Sequence, residues 1–110
     1  MRGRCLILLT LGLAFPAAAD TAGHIRTLAA SCAACHGVEG NSVGGTPVLA
    51  GLERSHFVLQ MQAFRSGGRV STVMHHHAKG LTETEIEQLA GYFAAIVRQP
   101  ASQPEPLGER

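Results

Sequence analysis

The chain has 110 residues, with nine lysines and arginines against eight aspartates and glutamates, a formal charge of +1 and six further histidines. With no basic stripe, no tryptophan, one tyrosine and four phenylalanines, it has little with which to neutralise phosphates or stack on bases. That composition excludes nucleic-acid binding from the functions it supports.

The N-terminal residues MRGRCLILLTLGLAFPAAA carry Arg2 and Arg4, an eleven-residue apolar run from Cys5 to Phe15, and the small residues Ala17, Ala18 and Ala19. This is the layout of a secretory signal peptide, here residues 1–19, cut before Asp20. As a helix the apolar run would rise only about 16 Å, against a hydrocarbon core of roughly 30 Å, so no membrane span is expected once it is removed. Cys5 leaves with it, and Cys32 and Cys35 remain. Residues 20–110 carry seven basic and eight acidic side chains, a net charge of −1. They form one small domain, residues 20–99, of a size that hides only about 60 to 65% of its unfolded surface.

From Thr21 to His36, the residues Ile25, Leu28, Ala29, Cys32 and Cys35 recur at spacings of three and four, which predicts a helix with Gly37 as its stop. The segment GVEGNSVGGTPVLAGL, residues 37–52, holds five glycines and a proline with no sustained period and reads as a long loop. Ser55 is the expected cap of a second helix, whose Phe57, Met61 and Phe64 share a face and which Gly67 and Gly68 end. Residues 69–81 read as another loop. Thr82 and Glu85 make a capping box, and the stripe Ile86, Leu89, Ala90, Phe93, Ile96 and Val97 predicts a last helix running toward Pro100. Residues 100–110, rich in proline and poor in large apolar groups, read as a flexible tail. The fold class is therefore all-α, with three or more helices.

The chemistry-bearing motif is Cys32-Ala-Ala-Cys35-His36. Two thiols at this spacing can reach the two vinyl groups on one edge of a porphyrin and form thioethers, and the following His36 then lies beneath the iron as an axial ligand. A zinc site using Cys32 and Cys35 needs a second ligand pair on its own element, and His75, His76 and His77 could supply one only from neighbouring backbone positions. A thioredoxin-type dithiol needs a preceding strand in a βαβ setting, which is not evident. Covalent haem c is the reading adopted, with zinc binding and thiol redox chemistry as the alternatives from another class.

For electron transfer the sixth iron position should be filled. Met61 falls on the apolar face of the second helix, where core packing explains it. Met74, in the loop STVMHHHAKG, is the expected distal ligand. His75, His76 and His77 either replace it in a bis-histidine state or form a solvated loop. His24 and His56 receive no role, and Arg65, Arg69 and Lys79 flank this loop as candidates for propionates, for a partner, or simply for solvent.

The series CAACHG, Thr46-Pro47, FRSGGR, Ser71-Thr72-Val73-Met74, Ala78-Lys79-Gly80-Leu81 and Ala90-Gly91-Tyr92-Phe93 resembles class I c-type cytochromes, and among them the cytochrome subunits of flavocytochrome c sulfide dehydrogenases. The likeness covers about residues 29–93. It implies a small helical fold around one haem, and a Pro47 carbonyl that accepts a hydrogen bond from the proximal imidazole of His36 and fixes its ring. It also implies a periplasmic electron carrier rather than an enzyme, taking electrons from a sulfide-oxidising flavoprotein. A free-standing soluble carrier is the alternative within the class.

Overall fold

A computed structural model describes residues 18–100; the expected signal peptide lies outside them apart from its last two positions, and so does all of the expected tail but Pro100. Four α-helices and one short 3₁₀ turn make up the described chain, and no strand occurs among these residues. They are α1 (Ala18–His36), the turn Val38–Gly40, α2 (Arg54–Ser66), α3 (Met74–Gly80) and α4 (Glu83–Ala94).

The three longer helices follow the apolar stripes. Ile25 and Ala29 of α1, Phe57 and Met61 of α2, and Ile86, Leu89, Ala90 and Phe93 of α4 are buried together with Ala78 of α3. Phe93, only 1% exposed, is the centre of this core. Its ring stacks on Phe57 at 5.8 Å between centroids, and Tyr92 meets it edge-on at 5.2 Å. Such ring pairs add to the burial of apolar area that drives the helices together.

Helix ends depart from expectation in three places. Glu53, not Ser55, caps α2: its carboxylate accepts the backbone N–H groups of Ser55 and His56 at 3.0 and 2.9 Å, and the Ser55 hydroxyl at 2.5 Å. These bonds, the Ser55 hydroxyl first, pull the Glu53 carboxyl down to about 2. Helix α4 ends at Ala94, leaving Ile96 half-buried and Val97 exposed, so the apolar stripe outruns the helix. The expected loop at residues 69–81 contains α3, a two-turn helix that begins on Met74.

The capping box at Thr82 and Glu85 is present and has a further connection. Glu85 accepts the Thr82 backbone N–H at 2.7 Å and its hydroxyl at 2.9 Å, while its other oxygen meets His24 Nε2 of α1 at 2.7 Å. The Thr82 backbone bond, then His24, lower the Glu85 carboxyl to about 2. One glutamate thus caps α4 and clasps α1 to it.

Candidate functional site

Helix α1 delivers three of the expected site residues from its last two turns. Cys32 and Cys35 stand three positions apart, a separation that puts both on one side of a helix about 4.5 Å apart along its axis. Both are free thiols, Cys32 half-buried against the core and Cys35 exposed. The Cys32 sulfur lies 3.4 Å from the Leu28 carbonyl, to which it donates, and burial pushes its thiol pKa up.

His36 closes the helix and is the one buried polar side chain among the described residues, 7% exposed. Its Nδ1 lies 2.7 Å from the carbonyl oxygen of Pro47. A carbonyl can only accept, so the ring proton sits on Nδ1, and the Nε2 lone pair is left uncommitted. An imidazole in this tautomer, held through its other nitrogen, is in the state a metal-bound histidine requires.

The path from His36 to Pro47 is built by backbone bonds. After the 3₁₀ turn, the Gly40 carbonyl accepts both the Leu49 and the Ala50 N–H, at 2.8 and 3.1 Å, closing residues 41–48 into a loop with a narrow neck. Asn41 Oδ1 accepts the Gln99 N–H at 2.8 Å, and the Gly51 N–H reaches the Phe93 carbonyl at 2.9 Å. These bonds stitch the Pro47 loop to the end of α4. Gly40 has φ +74°, and a Cβ there would lie 2.8 Å from the Leu49 Cβ and 3.0 Å from the Phe93 ring. Sequence reasoning did not single out Gly40 or Asn41; a glycine three residues after Gly37 was the only available signal.

Met74 is the first residue of α3, half-buried and packed against the core. The helix starts there because the Ser71 hydroxyl accepts the His75 N–H at 3.0 Å, while the Val73 and His77 backbones close the first turn. The Ser71 oxygen also meets His75 Nδ1 at 3.1 Å. His75 is half-buried, and its ring lies 4.0 Å from that of exposed His76 between centroids, tilted by 43°; His77 is exposed. The three histidines therefore project from successive positions of a helix, and among the described residues no group of three or more metal-binding side chains converges.

A groove of about 590 Å³ lies elsewhere, between the start of α1 and α4, lined by Ile25, Arg26, Gln88 and Tyr92 among others. Ten residues of helix, about 15 Å, separate it from His36.

The donor set fits a covalently attached haem: two unpaired thiols on one helix side, a buried imidazole with a free Nε2, and a half-buried thioether at the start of another helix. A small all-α domain carrying this set has the attributes of a haem-bearing electron carrier. A family model described as Cytochrome c matches residues 24–96. The cytochrome subunit of sulfide dehydrogenase from Chlorobaculum tepidum is 40% identical over 73% of this chain and 71% of that protein. A thiosulfate dehydrogenase electron acceptor from Thiomonas intermedia is 37% identical over 94% of this chain, which spans 48% of that relative's length. Cytochrome c-554(547) of Halothiobacillus neapolitanus is 33% identical over 72% of this chain and 99% of the relative. The chain belongs to the cytochrome c family. Its cofactor is covalently bound haem c, and its activity is electron transfer to and from redox partners rather than catalysis.

Proposed function

We propose that Cys32 and Cys35 would hold the haem through thioethers, that His36 Nε2 and the Met74 sulfur would bind its iron, and that the protein carries single electrons in the periplasm. When bound, the haem supplies exchange between ferric and ferrous iron. The chain's own residues then do the following. Two sulfurs on one helix would hold the group covalently, which would prevent its dissociation from a small domain. His36 is held by the Pro47 carbonyl, which fixes the ring's tautomer and raises its basicity toward a metal. Met74 is carried on α3 against the core, and a thioether at this position favours a higher potential than a second imidazole would.

The single observation that carries this reading is the 2.7 Å contact between the buried His36 ring and the Pro47 carbonyl, directly after two free cysteines. Export rests on the sequence of residues 1–19, and among the described residues no helix is long and apolar enough to cross a membrane.

The electron donor we propose is a sulfide-oxidising flavoprotein, on the likeness to the sulfide dehydrogenase cytochrome subunit. Thiosulfate oxidation, suggested by the second relative's name, is the competing source.

Co-expression with a cytochrome maturation system tests the site. The denatured protein should retain the mass of haem and stain for peroxidase activity, and a Cys32→Ala, Cys35→Ala variant should not. A Met74→Ala variant should lose the far-red thioether-to-iron band of the oxidised protein and keep the covalent mass. N-terminal sequencing of exported protein should begin at Asp20. Mixed with a sulfide-oxidising flavoprotein, the holoprotein should be reduced on adding sulfide and not on adding thiosulfate. A haem-free polypeptide, or a far-red band that survives Met74→Ala, overturns the assignment.

A further inference from the structure

Helix α3 places three imidazoles directly after Met74, as competitors in sequence for the metal position assigned to the thioether. The rings differ in what holds them. His76 and His77 are exposed, whereas His75 is half-buried and its Nδ1 lies 3.1 Å from the Ser71 hydroxyl oxygen. The same oxygen accepts the His75 backbone N–H at 3.0 Å. A serine hydroxyl has one proton to donate and two lone pairs that accept. One lone pair takes the His75 N–H. Among the described residues His75 Nδ1 is the only acceptor within hydrogen-bond distance of this hydroxyl, so the Ser71 proton goes to it. The Nδ1 lone pair is then occupied, and the neutral ring carries its own proton on Nε2. Neither nitrogen of His75 is left with a free lone pair, which binding a metal requires. His36 is the opposite case: its partner is a carbonyl, which can only accept, so the proton sits on Nδ1 and Nε2 stays open.

We propose that Ser71 is a positioning residue that withholds the His75 ring from the iron and so selects Met74 as the distal ligand. The proposal rests on the haem reading above and deepens it, because it explains how a chain with three histidines beside its thioether uses the thioether. Ser71 acts twice through one oxygen. Its bond to the His75 N–H fixes the first turn of α3, which carries Met74 against the core. Its bond to Nδ1 occupies the ring. Binding of His75 through Nδ1 breaks that bond outright. Binding through Nε2 moves the ring proton to Nδ1, turns the bond round and leaves the Ser71 proton without an acceptor. Either route leaves one polar group unpaired, which shifts the balance between the two ligands by roughly 2- to 12-fold.

Two measurements on the full-length holoprotein test this. In the reduced, diamagnetic form, long-range nitrogen–proton NMR of the imidazoles should show His75 with its proton on Nε2; a proton on Nδ1 overturns the proposal. In the oxidised form, the far-red thioether-to-iron band is followed at one neutral pH as urea is raised below the unfolding transition, while electron paramagnetic resonance detects iron held by two imidazoles. The ratio of thioether-ligated to imidazole-ligated iron is extrapolated to zero urea. Ser71→Ala should lower that ratio by the factor above, and Ser71→Thr, which keeps the hydroxyl, should restore it. Adding His75→Ala to Ser71→Ala should abolish the signal from two imidazoles. A ratio unmoved by Ser71→Ala overturns the proposal, even if Tm falls, because Ser71 is then only a structural cap. A two-imidazole signal that survives in the Ser71→Ala, His75→Ala variant overturns it as well, because another histidine is then the competitor. Each of these results leaves the haem reading standing. That reading fails separately, through missing covalent haem or a far-red band that survives Met74→Ala.

Discussion

Replacing Gly40 by alanine tests the architecture that brings Pro47 to His36. Gly40 has φ +74° and is buried, and its carbonyl is the neck of the loop. A side chain in left-handed backbone costs about 1–2 kcal/mol. The new methyl would also sit 2.8 Å from the Leu49 Cβ and 3.0 Å from two Phe93 ring atoms. Phe93 cannot swing away, since Phe57 stacks on it and Tyr92 meets it edge-on, so an overpacking cost of about 1–3 kcal/mol is added. The sum, about 2–5 kcal/mol, is a large share of the 5–15 kcal/mol typical of a domain. Gly67 provides the control: its φ is +81°, and a Cβ there meets nothing within 4 Å, so Gly67→Ala bears the backbone cost alone. Thermal unfolding of the oxidised holoprotein should show Tm lower by at least about 8 °C in Gly40→Ala, at roughly 4 °C or more per kcal/mol for a domain of this size. Gly67→Ala should fall by less. Solvent exchange of the His36 ring proton, followed by NMR, should accelerate in Gly40→Ala only. Equal Tm losses for the two variants refute the packing argument, and an unchanged exchange rate refutes the link from the neck to His36.

Three more predictions concern stability and helix ends. Glu53 and Glu85 have folded carboxyl pKa values near 2 against an ordinary 4.5, so the stability they contribute is complete above about pH 4.5 and is lost as pH falls toward 2. Tm should therefore drop on acidification through that window, and drop less steeply in Glu53→Gln and Glu85→Gln. Ser71→Ala removes the side chain that accepts the His75 N–H at the start of α3 and should cost about 1 kcal/mol in chemical denaturation, with Ser71→Thr recovering most of it. Asn41→Ala leaves the Gln99 N–H without its acceptor and should cost about 0.5–1.5 kcal/mol, whereas Asn41→Asp keeps an oxygen in place and should stay close to the wild type.

The helices that form the core were legible because their apolar residues repeat at three and four and their ends carry strong signals, Thr82 with Glu85 above all. The cap of α2 was misplaced because the usual rule favours a short oxygen-bearing side chain. Glu53 is longer, yet its two oxygens cover Ser55 and His56 together. Helix α3 was hidden for the opposite reason. MHHHAKG has no apolar stripe, and the side chain that serves its first turn, Ser71, sits two residues before the cap position. In the candidate site, the Cys32, Cys35 and His36 triplet announces itself by local spacing, since all three ride one helix. Pro47 came only through resemblance. Its approach to His36 depends on a Gly40 carbonyl accepting two N–H groups from across the loop, a long-range closure that leaves no period in the sequence.

That closure makes the apex of the loop a place where chain length is cheap. Val43 is 87% exposed, and added Cβ atoms at Gly44 and Gly45 would meet open space. Doubling the length of a flexible segment costs only about 0.6 kcal/mol of closure entropy. A short epitope or fluorophore-bearing insert spliced between Gly44 and Gly45 should ride above the clamp without moving what lies below it, giving this small carrier a handle for immobilisation on an electrode.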